Sequence, residues 1–341
     1  MLASHTSNLN GAELCFIETI KALHIAFPGI KIFCVFPKDG PLIEQCNTLI
    51  DGYEIIDLPW WIAEKKKHTV GEKLWNLKRI YYSVKELIKY IKVIQPELVI
   101  SNTIVPVTPS IAARLSGIDH VWYIHELGKE DHGYSFMFGE NITKRIIGIV
   151  SRIVLVNSFF VYSRYKKLIN TRKLKTIYQP VAIPDNNIEH LKKTDDLVIL
   201  MIGRFAPGKG QIEAIEALKG LINQGEEINL VLVGATDGEY DQKVREYIKK
   251  YDLDSRITVV DFTPNPVVYY EMTDIALICS KYEAFGRITI EAMKYGLPII
   301  ASKAGANTEL INDGVTGIFY ESGNVEDLMV KILKLKDIKL R

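Results

Sequence analysis

The residues best placed to do chemistry are Glu283 and Glu291, in the segment Ser280-Lys-Tyr-Glu283-Ala-Phe285-Gly286-Arg287-Ile-Thr-Ile-Glu291. A pair of carboxylates accepts hydrogen bonds from paired hydroxyls, which suits the diols of ribose and hexose. Gly286 reads as the start of a helix running to about Tyr295, with Gly296 as its left-handed stop. Glu283 then lies on the loop before the helix, and Glu291 faces inward about one and a half turns along it. At about 1.5 Å rise per residue, both carboxylates fall within the length of one nucleotide-sugar. Taken alone, the pair is explained more simply as chance plus a solvated helix face.

A second group of residues precedes it. The apolar run Leu197–Ile202 delivers Gly203-Arg204-Phe205-Ala206-Pro207-Gly208-Lys209-Gly210, and a helical pattern begins near Gln211. The string nearly matches the phosphate loop GxxxxGK[ST], but Gly210 stands where the hydroxyl that binds Mg²⁺ belongs. What survives is close backbone approach at glycine, two cations and a helix N-terminus with unpaired N–H groups. Arg204 offers a planar fork and Lys209 a point charge, a sensible pair for a diphosphate. A Gly/Pro-rich turn carrying two solvated cations is the plainer alternative. In the first half, His125 closes the run His120-Val-Trp-Tyr-Ile-His125-Glu126, and Gly11 opens a helical stretch after Ser4-His5-Thr6-Ser7-Asn8-Leu9-Asn10. A lone histidine at a strand end is ordinarily a satisfied structural residue. No Asp-x-Asp stands at a strand end, so no metal ligand is expected.

These residues need elements to hold them. Short apolar runs alternate with longer helical patterns from end to end, which argues for parallel sheets covered by helices. The text changes after Tyr178, where two prolines, consecutive asparagines and clustered charges mark a linker. The expected architecture is α/β: two doubly wound, Rossmann-like domains, 1–183 and 197–341, joined by a linker at 184–196 and facing a central cleft. Such folds bind ligands beyond the carboxyl ends of their strands.

Composition sets the outer limits. The chain has 341 residues, 48% hydrophobic and 24% charged, which excludes wholesale disorder and low-complexity classes. Its 42 basic and 41 acidic residues leave a net charge of +1, no footprint for nucleic acid. Cys15, Cys34, Cys46 and Cys279 have no metal-ligand spacing and lie in apolar runs, so a reducing, cytoplasmic compartment is expected. No apolar run reaches the roughly 18 residues of a spanning helix, and no signal peptide is legible. From Trp60 to Gln95 nine basic residues face three acidic ones, including Lys65-Lys66-Lys67. The helix that follows carries an apolar stripe at Leu74, Leu77, Tyr81, Val84, Leu87/Ile88 and Ile91. Two readings are open: a core-facing stripe with a solvated basic face, or a peripheral contact with an anionic membrane or lipid pyrophosphate.

Taken together, the motifs resemble the retaining glycosyltransferases of the GT-B fold, family 4. The marks are Gly203-Arg204…Lys209-Gly210, then Glu283-Ala-Phe-Gly with Glu291-Ala-Met (the E-x7-E motif), then Gly296-Leu-Pro298-Ile-Ile-Ala301, Gly305-Ala306…Glu309 and Asn312-Asp-Gly314…Gly317. The resemblance implies that Arg204 and Lys209 hold a donor diphosphate, that Glu291 binds the ribose diol, and that Glu283 faces the donor sugar. It further implies that main-chain amides near Phe285 and Gly286 approach sugar and phosphate, and that a helix from about Asn307 aims its N-terminus there. Gly11 would let backbone amides close on the phosphate, and His125 would serve catalysis beside Glu283. The implied reaction moves a hexosyl unit from a nucleotide-diphosphate sugar to a glycan or lipid-linked acceptor, with no cofactor and no metal. The resemblance also implies longer ends than are present, since only three residues precede Ser4 and 21 follow Tyr320. Two alternatives stay open, a sugar-nucleotide epimerase of the same fold and a non-catalytic partner that binds sugar-nucleotide or glycan. No GxGxxG follows a strand, which disfavours a nicotinamide dehydrogenase.

Overall fold

The computed structural model describes residues 1–64, 69–183 and 196–339. The chain divides into two compact units, Met1–Pro180 and Val181–Arg341. The linker expected at 184–196 falls, except for its last residue, outside the described residues, as do Lys65, Lys66 and Lys67.

The first unit runs β1 (Leu2–Ala3), α1 (Gly11–Ala26), β2 (Phe33–Phe36), α2 (Pro41–Cys46), β3 (Gly52–Ile55), β4 (Ile62–Glu64), α3 (Val70–Ile94), β5 (Leu98–Asn102), α4 (Thr108–Leu115), β6 (Asp119–Ile124), α5 (Lys129–His132), β7 (Tyr134–Phe136), α6 (Glu140–Val150), β8 (Ile153–Val156), α7 (Phe159–Tyr165) and β9 (Leu174–Thr176). Seven strands form one sheet in the order β3-β2-β1-β5-β6-β8-β9, and every pairing is parallel. Parallel strands are buried on both faces, which is why they read as continuous apolar runs. Phe16, Ile17 and Ile20 of α1 pack with Leu2, Cys34 and Phe36 on one face.

The second unit runs β10 (Leu197–Ile202), α8 (Gln211–Asn223), β11 (Ile228–Ala235), α9 (Glu239–Lys250), β12 (Ile257–Asp261), α10 (Val267–Glu271), β13 (Ile275–Ile278), α11 (Arg287–Lys294), β14 (Ile299–Ser302), α12 (Asn307–Leu310), β15 (Ile318–Tyr320) and α13 (Val325–Lys339). Its sheet has the order β12-β11-β10-β13-β14-β15, again parallel throughout. The period of two is visible in the cores. Leu197, Ile199, Ile275 and Leu277 join one cluster, whereas Leu200, Ala276 and Ile278 join the other. In this winding the strand order reverses between β10 and β13, the place where open α/β sheets take ligands.

The stripe expected to bury α3 is only half buried. Val84, Leu87 and Ile91 are in the core, but Leu74, Leu77 and Tyr81 are exposed. Apolar residues surround the first three turns on several sides, so periodicity alone did not fix which side turns inward. Asn76 fixes it, because its amide donates to the Trp60 carbonyl and carries Ile80 inward with it. Among the described residues, no helix is long and apolar enough to cross a membrane.

Candidate active site

The loop after β10 is shaped by contact with the end of β13. Gly210 has φ +84°, and a Cβ there would lie 2.5 Å from Cys279 Cβ and 2.7 Å from the Cys279 carbonyl oxygen. Only glycine meets both demands. Lys281 N–H donates to the Gly208 carbonyl at 2.9 Å, so the two loops are joined. Phe205 is buried in the core and anchors the turn, while the Arg204 side chain stands in solvent. α8 follows at once, with Gly210 as an N-cap that offers no side-chain acceptor. Gly210 caps none of the first N–H groups of this 13-residue helix through a side chain, and one of them, Ile212 N–H, donates to the Tyr240 hydroxyl.

The second loop brings the carboxylates. Lys209 Nζ donates to Glu283 Oε2 at 3.0 Å, so a cation of the first loop and a carboxylate of the second are partners. A third segment locks the pair: a Cβ on Gly305 would lie 2.5 Å from both Glu283 N and Glu283 O, and Ala306 N–H donates to Glu283 O at 2.8 Å. Phe285 is buried, and Gly286, at φ +96°, is the N-cap of α11. Glu291 lies on the second turn of α11. Tyr270 Oη donates to its Oε2 at 2.8 Å, and Arg287 Nη2 lies 3.8 Å from its Oε1. Burial pushes the Glu291 carboxyl upward, and Tyr270 and Arg287 oppose that shift. The Tyr270 ring is stacked on Tyr295 at 4.9 Å, with planes 8° apart. The helix expected near Asn307 is a single turn of four residues, too short to sum much of a dipole.

Sequence reading placed Arg204, Lys209, Glu283, Phe285, Gly286 and Glu291 correctly on the loops and helix at the carboxyl ends of β10 and β13. It missed Tyr270. That residue belongs to none of the motifs and lies 21 positions upstream of its partner, so no spacing announces it.

In the first unit, Gly11 is the first residue of α1, and Asn10 before it has extended N-cap geometry. The adjoining Glu13 is buried, its carboxyl pushed up to about 7 by that burial against hydrogen bonds from its own and Asn10's groups. His5 Nδ1 lies 3.4 Å from Glu13 Oε1, and burial, aided by His132, holds the imidazole down at about 4. His125 follows β6 as expected, yet its ring is turned into the unit. Nε2 lies 2.7 Å from Asn102 Oδ1 and Nδ1 lies 3.2 Å from Gln179 Oε1. Asn102 Nδ2 donates to the Ala12 carbonyl at 3.0 Å, which fixes the amide and requires the proton on His125 Nε2. Asn157 donates to the His125 carbonyl at 3.1 Å. Glu126, beside it, accepts from Ile104 N–H and His125 N–H, both at 3.1 Å, and burial pushes its carboxyl up to about 8.

Known proteins resemble this chain in sequence and in fold. The family model Glycosyl transferases group 1 matches residues 183–340. An uncharacterized glycosyltransferase of Haemophilus influenzae is 26% identical over 270 residues, 76% of this chain and 72% of its own length. The capsular polysaccharide biosynthesis glycosyltransferase CapM of Staphylococcus aureus is 23% identical over 161 residues, 46% of this chain and 42% of its own length. HepE of Anabaena, solved in complex with UDP and glucose, is 21% identical, with a TM-score of 0.74 over 99% of this chain and 90% of its own. The fold is therefore GT-B, with two Rossmann-like domains. Sequence over the second unit and fold over the whole chain together support a GT-B glycosyltransferase.

Proposed function

We propose that this chain transfers a hexosyl unit, with retention of anomeric configuration and without metal or other cofactor, from a nucleotide-diphosphate sugar to a glycan or lipid-linked acceptor of the cell-surface polysaccharide type. One observation carries the reading. Lys209 pairs with Glu283 across the connections that follow β10 and β13, where the strand order of the second unit reverses, and Arg204, Glu291 and the N-termini of α8 and α11 lie on the same two connections. Arg204, Lys209 and the N-terminus of α8 suit the charge that grows on a leaving diphosphate. Glu283 and Glu291 suit hydroxyls of the donor sugar and of the ribose. The diphosphate accepts the proton of the incoming hydroxyl on the face it leaves, which gives retention. Gly11 and His125 are assigned to the same reaction on the resemblance. HepE binds UDP and UDP-glucose, which makes UDP-sugars the first donors to try.

Replacing both Arg204 and Lys209 by Ala should weaken donor binding by roughly 100-fold or more, because each loses a charge-assisted hydrogen bond. Calorimetry with a donor panel measures this, and an unchanged affinity would overturn the diphosphate assignment. Activity should survive EDTA, and proton NMR of the product should show the donor's anomeric configuration. Full loss in EDTA, restored by Mn²⁺, refutes the metal-free reading.

The exposed side of α3 supports a membrane contact on the cytoplasmic side. Val70, Leu74, Trp75, Leu77, Tyr81 and Tyr82 are exposed on its first half, and Lys85, Lys89 and Lys92 continue the exposed side. Apolar and aromatic residues beside lysines fit an anionic bilayer. Flotation with anionic vesicles should recover the protein, and vesicles lacking anionic lipid should recover less. Equal recovery refutes the contact.

A further inference from the structure

We propose that Tyr270 is a positioning residue, its hydroxyl holding the Glu291 carboxylate in the orientation that receives the two ribose hydroxyls of the donor nucleotide. The inference rests on the reading of Glu291 given above and names the residue that makes it work. A carboxylate grips a diol only if both oxygens point the same way and the group stays ionised. Glu291 sits where neither is automatic, since its side chain is only 15% exposed. Tyr270 Oη donates to Oε2 at 2.8 Å, and Arg287 flanks Oε1 at 3.8 Å. Together they set the rotation of the carboxylate and favour its charge.

The phenol is itself immobilised. Its ring is buried, stacks face to face on Tyr295, and belongs to the core cluster that includes Ala292 of α11. A buried tyrosine needs a partner for its hydroxyl, and Glu291 is that partner. The hydroxyl thus reaches the carboxylate from a different element, α10, so the orientation does not depend on α11 alone.

The readout is discrimination between a ribonucleotide and its 2′,3′-dideoxy counterpart. UDP and 2′,3′-dideoxy-UDP are the first probes, with the adenosine and guanosine pairs in parallel. The wild-type chain should prefer one ribonucleoside diphosphate by about 100-fold, the weight of two charge-assisted hydrogen bonds. Tyr270→Phe keeps the ring stack and should reduce that preference about 10-fold, raising KM for the donor with little change in kcat. Glu291→Asp keeps the charge but withdraws it by one methylene from the Tyr270 hydroxyl, and its preference should fall too. A melting curve for each variant separates folding from binding. An unchanged preference in either variant, or equal loss for the ribo and dideoxy probes, overturns the positioning role while leaving the diol reading intact. No preference in the wild type for any base overturns the diol reading itself and the proposal with it.

Discussion

His125 carries both of its possible roles in one set of contacts. Its ring meets Asn102 and Gln179, and its carbonyl holds Asn157. Replacement by Ala keeps that carbonyl but removes the ring from Asn102 Oδ1 and Gln179 Oε1, at a cost of about 1–3 kcal/mol. The melting transition of the first unit should fall by roughly 3–8 °C. Turnover measured well below that transition isolates the catalytic share, and wild-type turnover there refutes it. Glu126 makes a prediction with a definite sign. Its carboxyl stands at about 8 in the fold against an ordinary value of 4.5. Between those values the unfolded chain has released a proton that the folded chain keeps, so this group's stabilisation is complete below 4.5 and lost as pH rises through 8. Glu126→Gln removes that loss. The melting point of the variant minus that of the wild type should therefore climb from pH 5 to pH 8, and a flat difference refutes the assignment. Taking the difference removes the contributions of His5 and Met1, which titrate in both proteins, whereas Glu13 acts on Glu126 directly and adds to the difference.

The loops of the second unit act as an interlocked set. Gly210 presses on Cys279, and Gly305 presses on the Glu283 backbone. Gly305→Ala drives a methyl group into the Glu283 main chain, at a cost of about 1–3 kcal/mol, and should weaken donor binding together with stability. A binding constant equal to wild type would show that the third segment does not position Glu283. Such loops were legible because a strand, a glycine, a charge and a helix start follow one another in the text, and each leaves a local mark. Features created by packing left none. The antiparallel pair β4 and β7 joins Ile62–Glu64 to Tyr134–Phe136, about 70 residues on, and neither piece has strand length of its own. The inward phase of α3 was set by the Asn76 amide on the Trp60 carbonyl rather than by hydropathy. The Tyr270 hydroxyl, like the two amides around His125, belongs to contacts between distant elements. Periodicity finds faces, and these partners come from topology.

At the scale of the molecule, the chain holds two separate parallel sheets with their own cores. Unfolding of such a chain need not be a single transition. A nucleotide diphosphate that binds the β10 and β13 loops stabilises what it binds by mass action. Calorimetric scans with UDP should raise the transition of the second unit by more than that of the first, and an equal rise in both refutes a nucleotide held chiefly by the second unit. The cysteines supply an internal clock for the same question. Cys15, Cys34 and Cys46 are buried in the first unit, and Cys279 is sealed in the second under Gly210. Burial pushes the Cys279 thiol up, so it stays unreactive until the strand end opens. Each alkylation is thus a time stamp for one unit's breathing, read by mass without any label being introduced. A nucleotide seated on the Gly210 loop should slow the Cys279 stamp and leave the other three running at their own pace.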